Sequence, residues 1–489
     1  MARSKRVAAP RGKVMRAVLN MRASSHESYK TVTKLSVNPR APGSAANILS
    51  TDPIAQSTID RGHTRCTILL LAFHFPPFKG SSGLERTLGF CRDLPRFGWL
   101  PVVLTASTQA YESVSQERVG DIPAGVIVER AFAMDTARHL SIGGRYPRWA
   151  ALPDRWISWL VGAVPMGWRL ARRHRPAAIW STYPIATAHV AGYMLARITG
   201  LPWVADFRDP MVEFDASTQT HYPTDARVRS ARLWVEGLAA RRAAMAVFCT
   251  RGAAEIFALR YPKIGPDRIH VIANGYDENA FSNASAVAAN DSGRLVLVHS
   301  GTLYPGPDRD PTAFFQALRA LLDADPKWST RVRIVLRASG FDTTYQPIID
   351  RLRLQDCVVL SPSCPYREAL GEMLSADGLL VFQGHTSNPA IPAKLYEYLR
   401  ARRPILALVD AQGSTAALLR EEGVGVLAPI DDVAQIQASL REFLIAVEAG
   451  QGTVLSKARV QHFERGERAA ELARLLDKVT NTQRPNARG

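Results

Sequence analysis

From about Arg65 onward the chain alternates β-prone runs with helical stretches, in two successive series. The first series starts at CTILLLAF (66–73), a continuous apolar run that is typical of a strand buried on both faces. The second starts at RLVLVHSG (294–301), after the small and polar stretch SNASAVAANDS (282–292), which indicates a linker. Strands that alternate with helices predict parallel sheets with right-handed crossovers. The sequence therefore predicts an α/β protein with two Rossmann-like, doubly wound domains facing each other across a cleft.

The predicted boundaries follow from this alternation. Residues 1–64 are predicted to be a disordered basic tail. Residues 65–285 form the first predicted domain and residues 286–455 the second. Residues 456–489 are predicted to contain a helix, at about 454–477, that packs back across both domains, followed by a short tail.

The charge of the chain is unevenly distributed. Of the formal net charge of +17, about half lies in residues 1–50, which hold ten Lys and Arg against the single acid Glu27. A basic excess usually indicates an anionic partner, but its concentration in the tail argues against a nucleic-acid partner for the domains. The five cysteines are scattered without a C-x-x-C pair, which argues against a zinc site and indicates a reducing, cytoplasmic setting.

One segment points to a membrane surface without crossing it. Residues 156–176, WISWLVGAVPMGWRLARRHRP, carry three tryptophans followed by a basic cluster. The segment contains Pro165 and is too short to span a bilayer. It is interpreted either as a partly buried helix with a basic end or as a helix in the membrane interface. The second interpretation predicts a peripheral contact with an anionic membrane, at its inner face.

Ligands of doubly wound sheets bind beyond the carboxyl ends of the strands, so the loops that follow strands are the candidate site. The first such loop, HFPPFKGSSGLER, contains Gly80, Ser81, Ser82 and Gly83. Glycines around two serines at a helix start can offer backbone N–H groups to a phosphate or a sugar hydroxyl. A purely structural glycine turn is the alternative.

A second loop, DFRDP, places Asp206, Arg208 and Asp209 directly after an apolar strand. Three charges at a strand end are interpreted as groups that orient a sugar or an acceptor during catalysis. The alternative is an internal ion pair that fixes the loop.

A third loop, HSGTLYPGPDRDP, opens the second series. Gly301 and Thr302 form its turn, and Arg309 lies near the start of the following helix. A helix start with a nearby cation suits a diphosphate. His299, inside the preceding strand, is interpreted as a packed side chain.

The fourth candidate is the stretch NPAIPAKLYEYLRARRPIL (388–406). Pro392 suits the first turn of a helix, so Lys394 falls near the positive end of that helix. A lysine is favourable there when an anion lies between, and Glu397, one turn later, can accept hydrogen bonds from the two hydroxyls of a ribose. The alternative is a Lys–Glu pair on a solvated face, worth about 0.2–0.5 kcal/mol.

Five motifs in this order make the chain resemble a GT-B-fold glycosyltransferase of glycosyltransferase family 4. They are FPPFKGSSGLERTLGFCRDLPRFGWLPVVLTA, LPWVADFRDPM, VIANGYDENAF, HSGTLYPGPDRDP and IPAKLYEYLRARRPILAL. The resemblance covers about Arg65 to Leu475 and implies a nucleotide-sugar donor on the second domain. It also implies an acceptor on the first domain, transfer with retention of configuration, and neither a cofactor nor a bound metal.

The resemblance also assigns residues. Glu397 matches the second glutamate of the family's E-x7-E motif, which holds the donor ribose, and Lys394 with the Gly301–Thr302 turn would lie by the diphosphate. Gly80 and Gly83 match the glycine loop of the first domain. The chain departs from the family pattern at Pro389, where the first glutamate is expected, and at Thr302, where a basic residue is expected.

These assignments predict a retaining hexosyltransferase that acts on a glycan or a lipid-linked glycan in polysaccharide biosynthesis. Two alternatives remain open. One is a sugar-nucleotide epimerase or hydrolase on the same fold. The other is a non-catalytic member that binds a glycan or a partner protein, an alternative motivated by the two departures from the family pattern.

Overall fold

The computed structural model describes residues 66–79, 82–215, 219–284 and 293–481. The predicted tail, residues 1–64, lies outside the described residues, as do most of the predicted linker and both Gly80 and Ser81.

The described strands lie in two parallel sheets and one short hairpin. In chain order they are β1 (Cys66–Leu71), β2 (Trp99–Ala106), β3 (Ile127–Ala131), β4 (Ala178–Thr182), β5 (Trp203–Arg208), β6 (Glu213–Asp215), β7 (Thr220–Tyr222), β8 (Met245–Phe248), β9 (Ile269–Val271), β10 (Leu295–Ser300), β11 (Val332–Arg337), β12 (Val358–Ser361), β13 (Gly378–Gln383), β14 (Ile405–Val409) and β15 (Val426–Ala428). The first sheet has the order β3-β2-β1-β4-β5-β8-β9, and the second has the order β12-β11-β10-β13-β14-β15. Strands β6 and β7 pair antiparallel. The predicted fold class, two doubly wound α/β domains, is confirmed.

The helices connect these strands and cover both faces of each sheet. They are α1 (Ser82–Asp93), α2 (Thr136–His139), α3 (Leu160–His174), α4 (Ala186–Thr199), α5 (Ala226–Arg242), α6 (Arg251–Arg260), α7 (Glu278–Ser282), α8 (Thr312–Ala324), α9 (Trp328–Arg331), α10 (Asp342–Arg351), α11 (Tyr366–Ser375), α12 (Ala393–Ala401), α13 (Ser414–Glu421), α14 (Val433–Glu448), α15 (Lys457–Gln461) and α16 (Arg465–Asn481).

The central strand β1 explains the continuous apolar run at the start of the first series. Leu69 and Leu71 pack with α3, α4 and α5 on one face of the sheet. Ile68 and Leu70 pack with α1 and α16 on the other face. Successive side chains of a strand point to opposite faces, so a strand covered on both faces is apolar over most of its length.

The last helical stretch is two helices rather than the single one predicted at about 454–477. Between α15 and α16 the carbonyl of Phe463 accepts a hydrogen bond from the Tyr276 N–H (3.1 Å), and the Arg465 N–H donates to the Tyr276 carbonyl (3.0 Å). A helix cannot continue through residues whose backbone groups are bonded elsewhere. Helix α16 then packs on α1 and the first sheet, where Asp477 accepts a hydrogen bond from the Trp99 indole (3.0 Å).

Candidate active site

Asp206, at the carboxyl end of β5, is fully buried and already has three hydrogen bonds within the first domain. Its carboxylate accepts from Arg86 through Nη2 (3.0 Å) and Nε (3.1 Å), and from the Thr182 hydroxyl (2.9 Å). Arg86 belongs to α1, so this bidentate pair fixes the end of β5 to the first helix. Both oxygens of Asp206 are occupied by neighbours inside the domain, as the alternative of an internal ion pair expects.

Arg208 turns toward the start of α1. It has φ of +65°, at an irregularity in the pairing of β5 with β8, and its guanidinium donates to the Tyr183 carbonyl (3.3 Å). A Cβ placed on Gly83 would lie 2.4 Å from Arg208 Nη1, so a side chain at this position would displace the guanidinium. The structure thus brings Arg208 and Gly83 together. Asp209 is adjacent, and burial raises the pKa of its carboxyl.

His74 joins this group, although no motif in the sequence marks it as a site residue. It stacks on Phe78 with the ring centroids 4.1 Å apart. Burial, with a contribution from the charge of Arg208, lowers the pKa of His74 to about 4, so its imidazole is neutral at pH 7. The available signal was its position, three residues after β1.

In the second domain, Lys394 lies against the turn that follows β10. Gly301 has φ of +119°, and a Cβ on it would lie 2.6 Å from Lys394 Nζ. The ammonium lies 3.1 Å from Nε2 of His299, whose Nδ1 is 2.8 Å from the Leu380 carbonyl. An imidazole held in this way can accept a hydrogen bond from the lysine. His299 is buried, as predicted for a packed side chain, and it also positions Lys394.

Lys394 and Arg309 are brought together as two like charges. Burial, together with the charge of Arg309, lowers the pKa of Lys394 to about 7, and the charge of Glu397 opposes this shift. Arg309 pairs with its neighbour Asp308 (3.2 Å) and lies over the ring of Tyr304. Cations whose charges act on each other repel unless an anion lies near both, so this arrangement favours an anionic ligand.

The Gly301–Thr302 turn matters for the space that it leaves beside Lys394, because the Gly301 N–H is already hydrogen-bonded. The Gly301 N–H is bonded to the Arg337 carbonyl (2.8 Å) and continues the pairing of β10 with β11. The Thr302 methyl packs toward Gly340, where a Cβ would lie 3.2 Å away. The turn therefore leaves room for Lys394 without offering the Gly301 N–H to a ligand.

Glu397 lies one turn after Lys394 and faces the other domain. Its Oε1 accepts a hydrogen bond from the Tyr366 hydroxyl (2.7 Å), and burial raises the pKa of its carboxyl. The side chain lines a cavity of about 130 Å³, which Arg86 of α1 and Arg465 of α16 line from the opposite side. The solvated Lys–Glu pair considered as an alternative is not formed, because Lys394 contacts His299 instead.

Sequence comparison relates most of the first domain to a known protein family. Residues 83–275 match the family model described as the glycosyl transferase 4-like domain. We refer to residues 83–275 as the glycosyl transferase 4-like domain, after the family that they resemble. The resemblance seen in the sequence is thereby confirmed. A search of curated protein sequences found no match.

Solved structures confirm the GT-B fold beyond this domain. Sucrose-phosphate synthase from Thermosynechococcus elongatus is 16% identical, with a TM-score of 0.60 over 86% of this chain and 100% of that one. The HepE protein of Anabaena, in complex with UDP and glucose, is 16% identical, with a TM-score of 0.56 over 84% and 100% of the two chains. Trehalose 6-phosphate synthase from Burkholderia multivorans is 13% identical, with a TM-score of 0.53 over 87% and 100%.

The predicted site residues fall into two groups on opposite sides of the cleft. Ser82 begins α1, while Gly80 and Ser81 are outside the described residues. Gly83, Arg208 and Asp209 belong to the glycosyl transferase 4-like domain, and Lys394 contacts none of them within the described ranges. The same ranges contain no group of three His, Cys, Asp or Glu side chains arranged to hold a metal ion.

The carboxyl group of Glu213, which is influenced by carboxylates of both domains, should make the stability of the chain depend on pH. Glu213, on β6 of the glycosyl transferase 4-like domain, has its pKa raised to about 7 by burial and by the charges of Asp209 and of Asp308 in the second domain. Between about pH 4.5 and 7 the folded chain therefore binds this proton and the unfolded chain does not, so stability falls as pH rises through that window. We expect Glu213→Gln to reduce this loss.

The measurement compares the melting temperatures of both proteins at pH 5 and pH 8. Glu255→Gln, which changes an exposed carboxyl on α6, is the matched control and should follow the unmodified chain. An equal drop in Glu213→Gln and the unmodified chain would contradict the assignment.

Proposed function

We propose that the chain is a retaining glycosyltransferase of the hexosyltransferase type. It would move a sugar from a nucleotide-sugar donor to a hydroxyl of a glycan or lipid-linked glycan. The observation that carries the proposal is the position of Lys394, held 3.1 Å from His299 and against the Gly301 turn beyond the carboxyl end of β10, where the charge of Arg309 also acts on it. Nucleoside diphosphates are the leaving groups of such donors. HepE, a protein of the same fold, has been solved with UDP-glucose bound.

In this proposal the donor lies on the second domain. Lys394 and Arg309 would meet the charge that develops on the diphosphate as the sugar leaves, and the Glu397 carboxylate would accept from the ribose hydroxyls. Lys394 is held toward this position by His299 and by the absence of a side chain on Gly301. Such preorganised charge needs little rearrangement when the bond breaks.

The acceptor would lie on the glycosyl transferase 4-like domain, where Arg208 and Asp209 orient its hydroxyl or the sugar. The anomeric carbon–oxygen bond to the diphosphate breaks, and the acceptor oxygen forms a new bond on the same face of the sugar. The acceptor proton passes to the departing phosphate oxygen. Asp206 would act indirectly, by holding the DFRDP loop through Arg86. A lipid-linked acceptor suggests polysaccharide assembly at the inner, cytoplasmic face of a membrane.

The test begins with the purified chain and a panel of UDP-, GDP- and ADP-sugars in a thermal-shift assay. A donor that stabilises the chain is then incubated with candidate acceptors, and the anomeric proton coupling of the product distinguishes retention from inversion. Donor consumption without an acceptor would favour a hydrolase or an epimerase. A chain stabilised by no donor would favour a non-catalytic binding protein.

Glu397→Gln is expected to weaken donor binding about tenfold or more. A hydrogen bond to a charged group is worth about 1.5–3 kcal/mol, and the neutral amide would offer a weaker acceptor to the ribose. Isothermal titration with the stabilising nucleotide measures the change in Kd.

Tyr366→Phe is the companion variant, because it removes the hydroxyl that bonds Glu397 and leaves the carboxylate in place. It should weaken binding less than Glu397→Gln. An unchanged Kd in Glu397→Gln would remove this residue from the ribose site.

A further inference from the structure

Helix α3 presents an apolar stripe to solvent. Val161 is 72% exposed and Trp168, two turns later, is 40% exposed, with exposed Pro165 between them. Arg172 continues the stripe, and its guanidinium carbon lies 4.8 Å from the centre of the Trp168 ring. Spacings of four, three and four residues place these side chains on one face of the helix.

Helix α4 extends this surface. The two helices are in close contact, because a Cβ on Gly167 would lie 2.5 Å from Leu195 Cδ1. Met194 and Ile198 on α4 are exposed, the latter by 54%. The five exposed apolar residues define the α3–α4 face: Val161, Pro165, Trp168, Met194 and Ile198.

The charge around this face has one sign. Residues 156–205 contain five arginines and no Asp or Glu. The five are Arg169, Arg172, Arg173, Arg175 and Arg197. None of them forms an ion pair with a carboxylate of the described residues, so their charge is not compensated within the domain. An apolar stripe beside uncompensated arginines is the composition of a helix that lies in a membrane interface.

The charge also decides between occupants of the face. A second copy of the chain would bring the same arginines against these. The tail, which holds ten Lys and Arg in residues 1–50, would be repelled in the same way. Among the described helices, none is long and apolar enough to cross a membrane. We propose that the α3–α4 face docks on an anionic membrane, with Trp168 and Val161 inserted at the level of the headgroups.

The face adjoins the proposed acceptor side. Asp154 accepts hydrogen bonds from the N–H and hydroxyl of Thr187, which ties the segment before α3 to the start of α4, beyond the carboxyl end of β4. Trp149, in the same segment, is largely exposed. A docked face would therefore bring the carboxyl edge of the first sheet near the lipid. This last point rests on the proposed function, whereas the docking itself does not.

The first experiment floats the full chain with vesicles of phosphatidylcholine, with and without about 30% of the anionic lipid phosphatidylglycerol, because basic segments bind surfaces that carry anionic lipids. We expect binding only to the anionic vesicles, and about a tenfold loss in the double variant Val161→Glu/Trp168→Glu. Leu259→Glu, at a 75% exposed apolar position on α6, is the matched control and should bind like the unmodified chain. The tail is common to all three proteins, so its contribution cancels in the comparison.

A second readout reports insertion rather than adsorption. With brominated phosphatidylcholine in the anionic vesicles, part of the tryptophan fluorescence should be quenched, and Trp168→Phe should lose much of that quenching. Equal flotation of the double variant and the unmodified chain would overturn the proposal, because the tail alone would then account for binding. Failure to bind vesicles combined with binding to a DNA duplex that the double variant loses would overturn it in favour of a nucleic-acid partner. Neither result would affect donor binding by the second domain.

Discussion

Lys394→Ala is expected to lower turnover at saturating donor about 100-fold, because removing one group that stabilises developing charge typically costs a factor of about 100–1000. The side chain is held by His299 and fits beneath Gly301, so alanine would remove the ammonium without a neighbour able to replace it. Arg309 would remain and would retain part of the charge. The initial rate of sugar transfer, measured over a range of donor concentrations, separates kcat from KM.

Lys327→Ala, which removes a half-exposed lysine from the same domain, is the control and should keep the unmodified rate. Calorimetry gives an independent readout. The pKa of Lys394 is lowered to about 7, so at pH 8 most of the side chain is neutral, and a bound diphosphate would favour the charged form. Nucleotide binding at pH 8 should then take up nearly one proton, and Lys394→Ala should take up none. A variant with the unmodified rate and proton uptake would remove Lys394 from the site.

Asp206→Ala is expected to lower the free energy of unfolding by about 3–5 kcal/mol, the usual effect of removing one partner of a buried ion pair. Arg86 would be left buried and without the carboxylate that its Nε and Nη2 donate to. Urea denaturation followed by circular dichroism measures the change. Asp323→Ala, which breaks the exposed pair with Arg319 on α8, should cost only about 0.3–0.5 kcal/mol.

A second substitution tests the cause. Asp206→Ala combined with Arg86→Met removes both charges and should recover part of the lost stability, since the unpaired charge is the main penalty. The two interpretations of the DFRDP loop differ in their outcome here. An Asp206→Ala variant that keeps its stability and loses all turnover would place this carboxylate among the reacting groups.

The strands were the part of the fold most accessible from the sequence. β1 and β10 pack on both faces and are therefore mainly apolar in sequence, with His299 near the end of β10 as an exception. Residues 107–155 gave no such signal, because β3 is only half-buried and the stretch is otherwise made of short turns and helices. The end of the chain was predicted as one helix because nothing local indicates that Phe463 and Arg465 bond to Tyr276.

The site was predictable in its residue types and much less in its contacts. Lys394 and Arg208 could be chosen as candidate site residues because each lies in a segment that follows a predicted strand. This position could not indicate that His299, distant in sequence, would lie 3.1 Å from the lysine, or that Tyr366 would bond Glu397. Partners of this kind are separated by tens of residues, so only the fold brings them together.

The chain crosses between its two lobes twice, and the crossings touch. Tyr276, after the first sheet, exchanges backbone hydrogen bonds with Phe463 and with Arg465, the first residue of α16. A Cβ on Gly275 would lie 2.5 Å from the Phe463 carbonyl oxygen, so the two segments can approach this closely only with glycine there. Two neighbouring connections between the lobes should leave rotation about one axis comparatively free. They should resist twisting and sliding of one lobe against the other. We therefore expect the two lobes to move relative to each other mainly by rotation about the line that joins these two connections.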